Sequence, residues 1–155
     1  HPERVGKLVI ISISMRATGN YPEVQEQFRT MPEQAREFAP HIAQSPLGAL
    51  YPDVHWETLM RKTGEMLREP YDWSADIAGI TAPALLIFAD ADMMQPEHIV
   101  EFYRLLGGGT RDAGFDGALR PTPNQLAIIP GTTHYDLVLK ATDSVAAFAN
   151  AFLAG

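Results

Sequence analysis

The chain has 155 residues, 46% hydrophobic and 20% charged, with a formal net charge of −7 and no cysteine. That is the make-up of one globular domain, large enough to bury roughly two-thirds of its unfolded surface. The acidic balance argues against a nucleic-acid partner or an anionic membrane surface, and the missing cysteines exclude disulfides, thiolate catalysis and Cys-ligated zinc. No apolar run approaches the roughly 18 residues of a membrane span and no signal-peptide pattern is present; with the lack of cysteine this makes a cytoplasmic protein the expectation.

His1 to Val5 read as the tail of a helix, turned at Gly6. Lys7 to Ser14, "KLVIISIS", is β-branched and apolar on both faces, the pattern of a strand buried in a parallel sheet. Residues 16 to 80 contain no convincing strand. Pro22 and Pro32 each stand where a helix could start, and Pro40, Pro46 and Pro52 break up the stretch between, so about four short helices are expected there. The clearest runs from His55 to Glu69, with Trp56, Leu59, Met60, Thr63 and Leu67 on one stripe, Asp53 as N-cap and Pro70 as stop.

"APALLIFAD", residues 82 to 90, is a second buried strand, followed by a helix from Pro96 to Leu106 that Gly107 to Gly109 terminate. Gly107 to Asn124 is a long loop. Its glycines follow a helix C-terminus and so do not form a phosphate cradle, and Asp112 and Asp116 lack the other ligands of a calcium loop. A third strand spans residues 125 to 129, stopped by Pro130 and Gly131, and a last helix runs from about Asp143 to Leu153. Alternating strands and helices imply a parallel α/β sheet of three strands with right-handed crossovers.

Ligands of such sheets gather beyond the carboxyl ends of the strands. His134 stands just past the end of the third strand, in "IIPGTTHYDL", and Asp90 and Asp92 stand at the end of the second, in "FADADMMQPEH". A lone loop histidine is more often held by backbone. Two neighbouring parallel strands, however, bring their tips to one edge, where a carboxylate could hold an imidazole in the tautomer needed of a general base. Asp90, Asp92, His98 and His134 can also be read as metal ligands, but they have no recognised metal spacing, so no metal and no cofactor is expected. Met93 and Met94 fit the mouth of such a site, where as apolar gap-fillers they need no special function, and Trp56 and Met60 could line an apolar acyl or alkyl pocket, although packing within the cap is the better explanation of the latter two.

The order of these segments resembles the C-terminal half of the α/β-hydrolase family. "HPERVGKLVIISIS" resembles the end of the helix after the nucleophile elbow and the strand that follows. "ITAPALLIFADADMMQPEH" resembles the acid segment, "IIPGTTHYDL" the histidine segment, and residues 16 to 80 the place where the family inserts a helical cap. The resemblance implies residues 1–15 and 81–155 as core and 16–80 as cap. It places Asp92 on the catalytic acid and His134 on the catalytic histidine, with Asp90 the second choice for the acid and a turn cap by default. It also implies a hydrolase acting on an ester or similar small apolar substrate.

The sequence departs from the family in one respect: there is no G-x-S-x-G. Ser12 and Ser14 lie in or at the end of a strand, Ser45 precedes Pro46, and Ser74 and Ser144 look like helix-start residues. The resemblance therefore implies that the nucleophile and the oxyanion loop belong to an N-terminal half absent from this chain, and that the chain alone is inactive. An aspartate nucleophile, as in epoxide hydrolases and haloalkane dehalogenases, is equally compatible, and a non-catalytic fragment or binding module is the alternative of another class. In the complete fold the strand at Lys7–Ser14 is internal, so a companion N-terminal half, or self-association along that edge, is expected.

Overall fold

The computed structural model describes all 155 residues. One turn of 3-10 helix at Pro2–Arg4 precedes strand β1 (Leu8–Ile11), which is shorter than the eight residues the pattern suggested. Helices α1 (Pro22–Ala43), α2 (Pro46–Leu50), α3 (Trp56–Leu67) and α4 (Ser74–Ile77) follow. Strand β2 (Ala84–Ala91), helix α5 (Pro96–Leu105), strand β3 (Gln125–Thr133) and helices α6 (Asp136–Leu139) and α7 (Thr142–Ala154) complete the chain. No helix is long and apolar enough to cross a membrane.

The three strands are parallel in the order β1-β2-β3, with Leu8 opposite Ala84 and Leu86 opposite Leu126. β2 is therefore the middle strand, and Ala84 to Ala89 are all buried. Side chains alternate across a strand, so this one run feeds two core layers. Ala84, Leu86 and Phe88 pack with Ile99, Phe102 and Leu106 on the α5 face. Leu85, Ile87 and Ala89 pack with Leu137, Val145 and Phe152 on the α6–α7 face.

Two polar side chains fasten the lower end of the sheet. Buried Asn124 accepts from the Ala84 N–H (2.7 Å) and donates to the Leu106 carbonyl (2.6 Å). Lys7 donates to the carbonyls of Phe152 (2.8 Å) and Leu153 (3.1 Å) in the last turn of α7, where the helix dipole favours a cation.

The region between β1 and β2 departs from expectation. Pro32 does not start a helix; it lies inside the 22-residue α1, as does Pro40. A proline there removes one backbone hydrogen bond, at a cost of about 3 kcal/mol. The helix continues because α3 packs along it, and Gly64 makes the approach possible: a Cβ at Gly64 would lie 2.6 Å from the Pro32 ring. The N-cap position of α3 is His55 and not Asp53. β3 also runs on through Pro130 and Gly131 to Thr133, past the expected stop. It is an edge strand, so Pro130 forfeits no interior bond, and the pairing with β2 skips register between Ala89 and Ala91.

Candidate active site

The tips of all three strands meet at the carboxyl edge of the sheet. Asp92 follows β2, and its side chain is fully buried. One of its oxygens, Oδ1, accepts from the Met93 N–H (2.8 Å) and lies 3.0 Å from His134 Nδ1. The other, Oδ2, accepts from the Ala89 N–H (3.0 Å) and from the Ser12 hydroxyl (2.6 Å). Burial pushes the carboxyl's pKa up, but the hydrogen bonds from His134, Ser12, Ala89 and Met93 together outweigh it, so Asp92 titrates below the usual carboxylate range. The charge that results is ionised, fixed and out of contact with water.

His134 sits on the turn that ends β3. Asp136 holds this turn by accepting from the Thr133 N–H (3.1 Å) and hydroxyl (2.9 Å), while Lys140 reaches back to Asp136 (2.7 Å). Lys140 and then Thr133 bring the Asp136 carboxyl down to about 2. The imidazole stands edge-on to the Tyr135 ring, 5.1 Å between centroids. Its Nδ1 faces Asp92 and Ser12, and Nε2 makes no hydrogen bond within the chain. Since Nδ1 faces two oxygens and Nε2 faces none, the arrangement favours, of the two tautomers, the one with its proton on Nδ1 and a free lone pair on Nε2.

Asp90, the second choice for the acid, points elsewhere. It accepts from the Gly131 N–H (2.9 Å) and the Thr132 N–H (3.0 Å), clamping the tip of β3, and those two bonds hold its carboxyl below its ordinary value. His98 is likewise not beside Asp92. It is buried on α5, accepts from the Met15 N–H at Nε2 (3.1 Å), and leaves Nδ1 without a partner. No group of three or more His, Cys, Asp or Glu side chains is placed to hold a metal ion.

Asp92 and His134 line a cavity of ≈ 520 Å³ together with Met93, Tyr135 and, from α1, Phe28 and Met31. Met94 borders a smaller recess of ≈ 240 Å³ that reaches Ser12 and His134, and the Met94 side chain belongs to the core. Trp56 and Met60 are not beside His134. They line a neighbouring apolar cleft of ≈ 580 Å³ between α1, α3 and α6, with Leu59, Ile42 and Leu139. Met31 and Tyr135 line both the cleft and the His134 cavity, so the two are adjacent.

Sequence reasoning missed Ser12. Its N–H still pairs with the Ile87 carbonyl (2.8 Å), continuing the β1 ladder, but its φ is +48°, the one non-glycine residue of the chain in the left-handed region. Its hydroxyl lies 2.7 Å from His134 Nδ1 as well as 2.6 Å from Asp92. The absence of flanking glycines argues against a nucleophile at Ser12 and says nothing about a bridging hydroxyl. The available signal was position, since β1 ends at the same edge as β2.

No protein-family model matches the chain, and no curated protein matches it. Solved structures do. An α/β hydrolase enzyme from a Medee basin deep-sea metagenome library superposes on 100% of this chain with a TM-score of 0.68 at 13% identity. The enol-lactonase of Burkholderia xenovorans superposes on 100% with a TM-score of 0.60 at 18% identity, and a carboxylesterase of Bacillus subtilis on 98% with 0.54 at 20%. The chain spans 58%, 58% and 52% of those three proteins. The fold is thus that of part of an α/β hydrolase, consistent with its C-terminal half.

Proposed function

We propose that this chain supplies the acid and the histidine of a nucleophile–histidine–acid triad, in a cytoplasmic hydrolase whose nucleophile lies outside residues 1–155. The observation that carries the reading is the Asp92–His134 pair: a buried carboxylate 3.0 Å from Nδ1, with the opposite ring nitrogen unoccupied beside a cavity. Nε2 takes a proton from the nucleophile and passes it to the leaving group, then takes one from the attacking water and returns it to the nucleophile as the product departs. Asp92 stabilises the imidazolium in between. Residues 16–80 act as the cap, and the apolar cleft at Trp56 and Met60 receives the alkyl or acyl part of a small ester. No serine hydroxyl of the chain hydrogen-bonds to Nε2; the one that bonds to the ring, Ser12, meets Nδ1 on the acid side. The unpaired edge of β1 receives a companion segment that carries the elbow, or a second copy of the chain.

Turnover of p-nitrophenyl butyrate tests the reading. The 155-residue chain alone should give no acyl-enzyme burst and no labelling by a serine-directed organophosphorus probe. Assembled with a companion polypeptide carrying the elbow, it should hydrolyse the ester, and His134→Ala should remove about 10²–10⁴-fold of the rate. Turnover indifferent to His134→Ala, or stoichiometric labelling of any of the five serines, would overturn it.

A further inference from the structure

We infer that Ser12 is a positioning residue, whose hydroxyl locks the His134 imidazole in the Nδ1–H tautomer by spanning Asp92 and the ring. This rests on the reading of Asp92 and His134 as acid and base, and extends it to a third strand tip.

A hydroxyl has one proton. Ser12 lies 2.6 Å from Asp92 Oδ2, an acceptor only, so the proton is committed to the carboxylate. The oxygen's lone pairs then face His134 Nδ1 at 2.7 Å, and that contact is satisfied only if the ring nitrogen is the donor. Asp92 Oδ1, 3.0 Å away, makes the same demand. The carboxylate therefore acts on the ring twice, once directly and once through the Ser12 oxygen. The opposite tautomer would set a ring lone pair against two oxygens and put the proton on Nε2, where it would block base catalysis.

The backbone supports the same conclusion. Ser12 holds φ at +48°, which a residue with a Cβ adopts at a cost and glycine adopts freely. Backbone strain of this kind clusters at sites the surroundings over-determine. If the turn alone mattered, glycine would serve it better. Ser12 is only 9% exposed, and its hydroxyl has Asp92 and His134 as its side-chain partners.

The test is the ¹⁵N spectrum of the His134 ring in the full 155-residue chain near pH 7.5, with Ser12→Gly and Ser12→Thr beside it. The unsubstituted chain should show Nδ1 protonated and Nε2 bare. Ser12→Gly relieves the strained φ and removes the hydroxyl. It should still fold, since the relieved φ offsets part of the lost bond to Asp92, yet shift the tautomer ratio toward Nε2–H by about fivefold, the equivalent of one net hydrogen bond. Ser12→Thr keeps the hydroxyl and worsens the strain; it should be less stable and retain the Nδ1–H form. An Nε2–H ring in the unsubstituted chain, or an unchanged ratio in a folded Ser12→Gly, overturns the inference whatever the assembled enzyme does with esters. Conversely, ester turnover indifferent to His134→Ala removes the catalytic reading and leaves the tautomer result standing.

Discussion

The two edges of the sheet are built differently. β3 is finished as an edge: Pro130 interrupts its donors, Gly131 turns at φ +70°, the pairing with β2 skips register, and Asp90 clamps the tip. β1 has none of this. Its four residues, Leu-Val-Ile-Ile, are apolar without proline, glycine or charge, and only one side is paired. Edge strands ordinarily carry such interruptions because a flat, apolar edge is a template for another chain. β3 therefore has the character of a terminal strand and β1 that of an interior one, which supports the proposal that something pairs with β1.

Breaking this contrast gives the largest expected effect. The purified chain should self-associate at micromolar concentration, and Ile11→Lys, on β1, should return it to a 17.1 kDa monomer by sedimentation. Ile128→Lys, at a somewhat more exposed position on β3, should change nothing. A stable monomer of the unsubstituted chain, with slow amide exchange in residues 8 to 11, would mean that β1 is protected in another way. Next in size is Asn124→Ala, which strips buried partners from the Ala84 N–H and the Leu106 carbonyl and should cost about 2–4 kcal/mol in urea unfolding. Gly131→Ala probes the finished edge alone. A Cβ there meets nothing within 4 Å, so the loss of about 1–2 kcal/mol should come entirely from the positive φ.

Acid should separate the two sides by a smaller margin. His98 lies on the β1 side, holding the Met15 N–H and facing Arg16, Glu101 and Asp72. Burial, then the Arg16 charge, lower its pKa from the ordinary 6.5. The unfolded chain therefore binds the proton more readily, and the contribution of His98 is complete above about pH 6.5 and declines as pH falls toward the folded value. Asp92, with a lowered carboxyl pKa, keeps its contribution until the pH drops below the ordinary 3.8. The protection factor of the Met15 amide, its exchange relative to the intrinsic rate at each pH, should thus fall between pH 7 and 5 while those of Ala89 and Met93 hold; a parallel fall would refute the assignment.

The parts of this molecule readable in the sequence are those set by short-range pattern. The run at residues 84 to 89 is apolar throughout because both faces are covered; strand order and a shared edge bring an aspartate of the β2 tip to His134, and the family resemblance picks Asp92 over Asp90. The unread parts depend on distant partners. Pro32 stays helical because Gly64 admits its ring. β3 outlasts Pro130 because no further strand needs that missing donor. Ser12 gains its meaning from residues 80 and 122 positions away, which no local window contains.

The environment of Asp92 has a kinetic consequence. Four donors, two on each oxygen, hold the carboxylate in its ionised form and below the usual carboxylate pKa range, which makes it a poor acceptor for the ring proton. Under the proposed triad reading, only the Nε2 transfer is then in flight at the barrier. In mixtures of light and heavy water, the rate of the assembled enzyme should fall as a straight line with deuterium fraction. A bowed plot would mean that a second hydron moves, and that the carboxylate is a carrier and not a fixed charge.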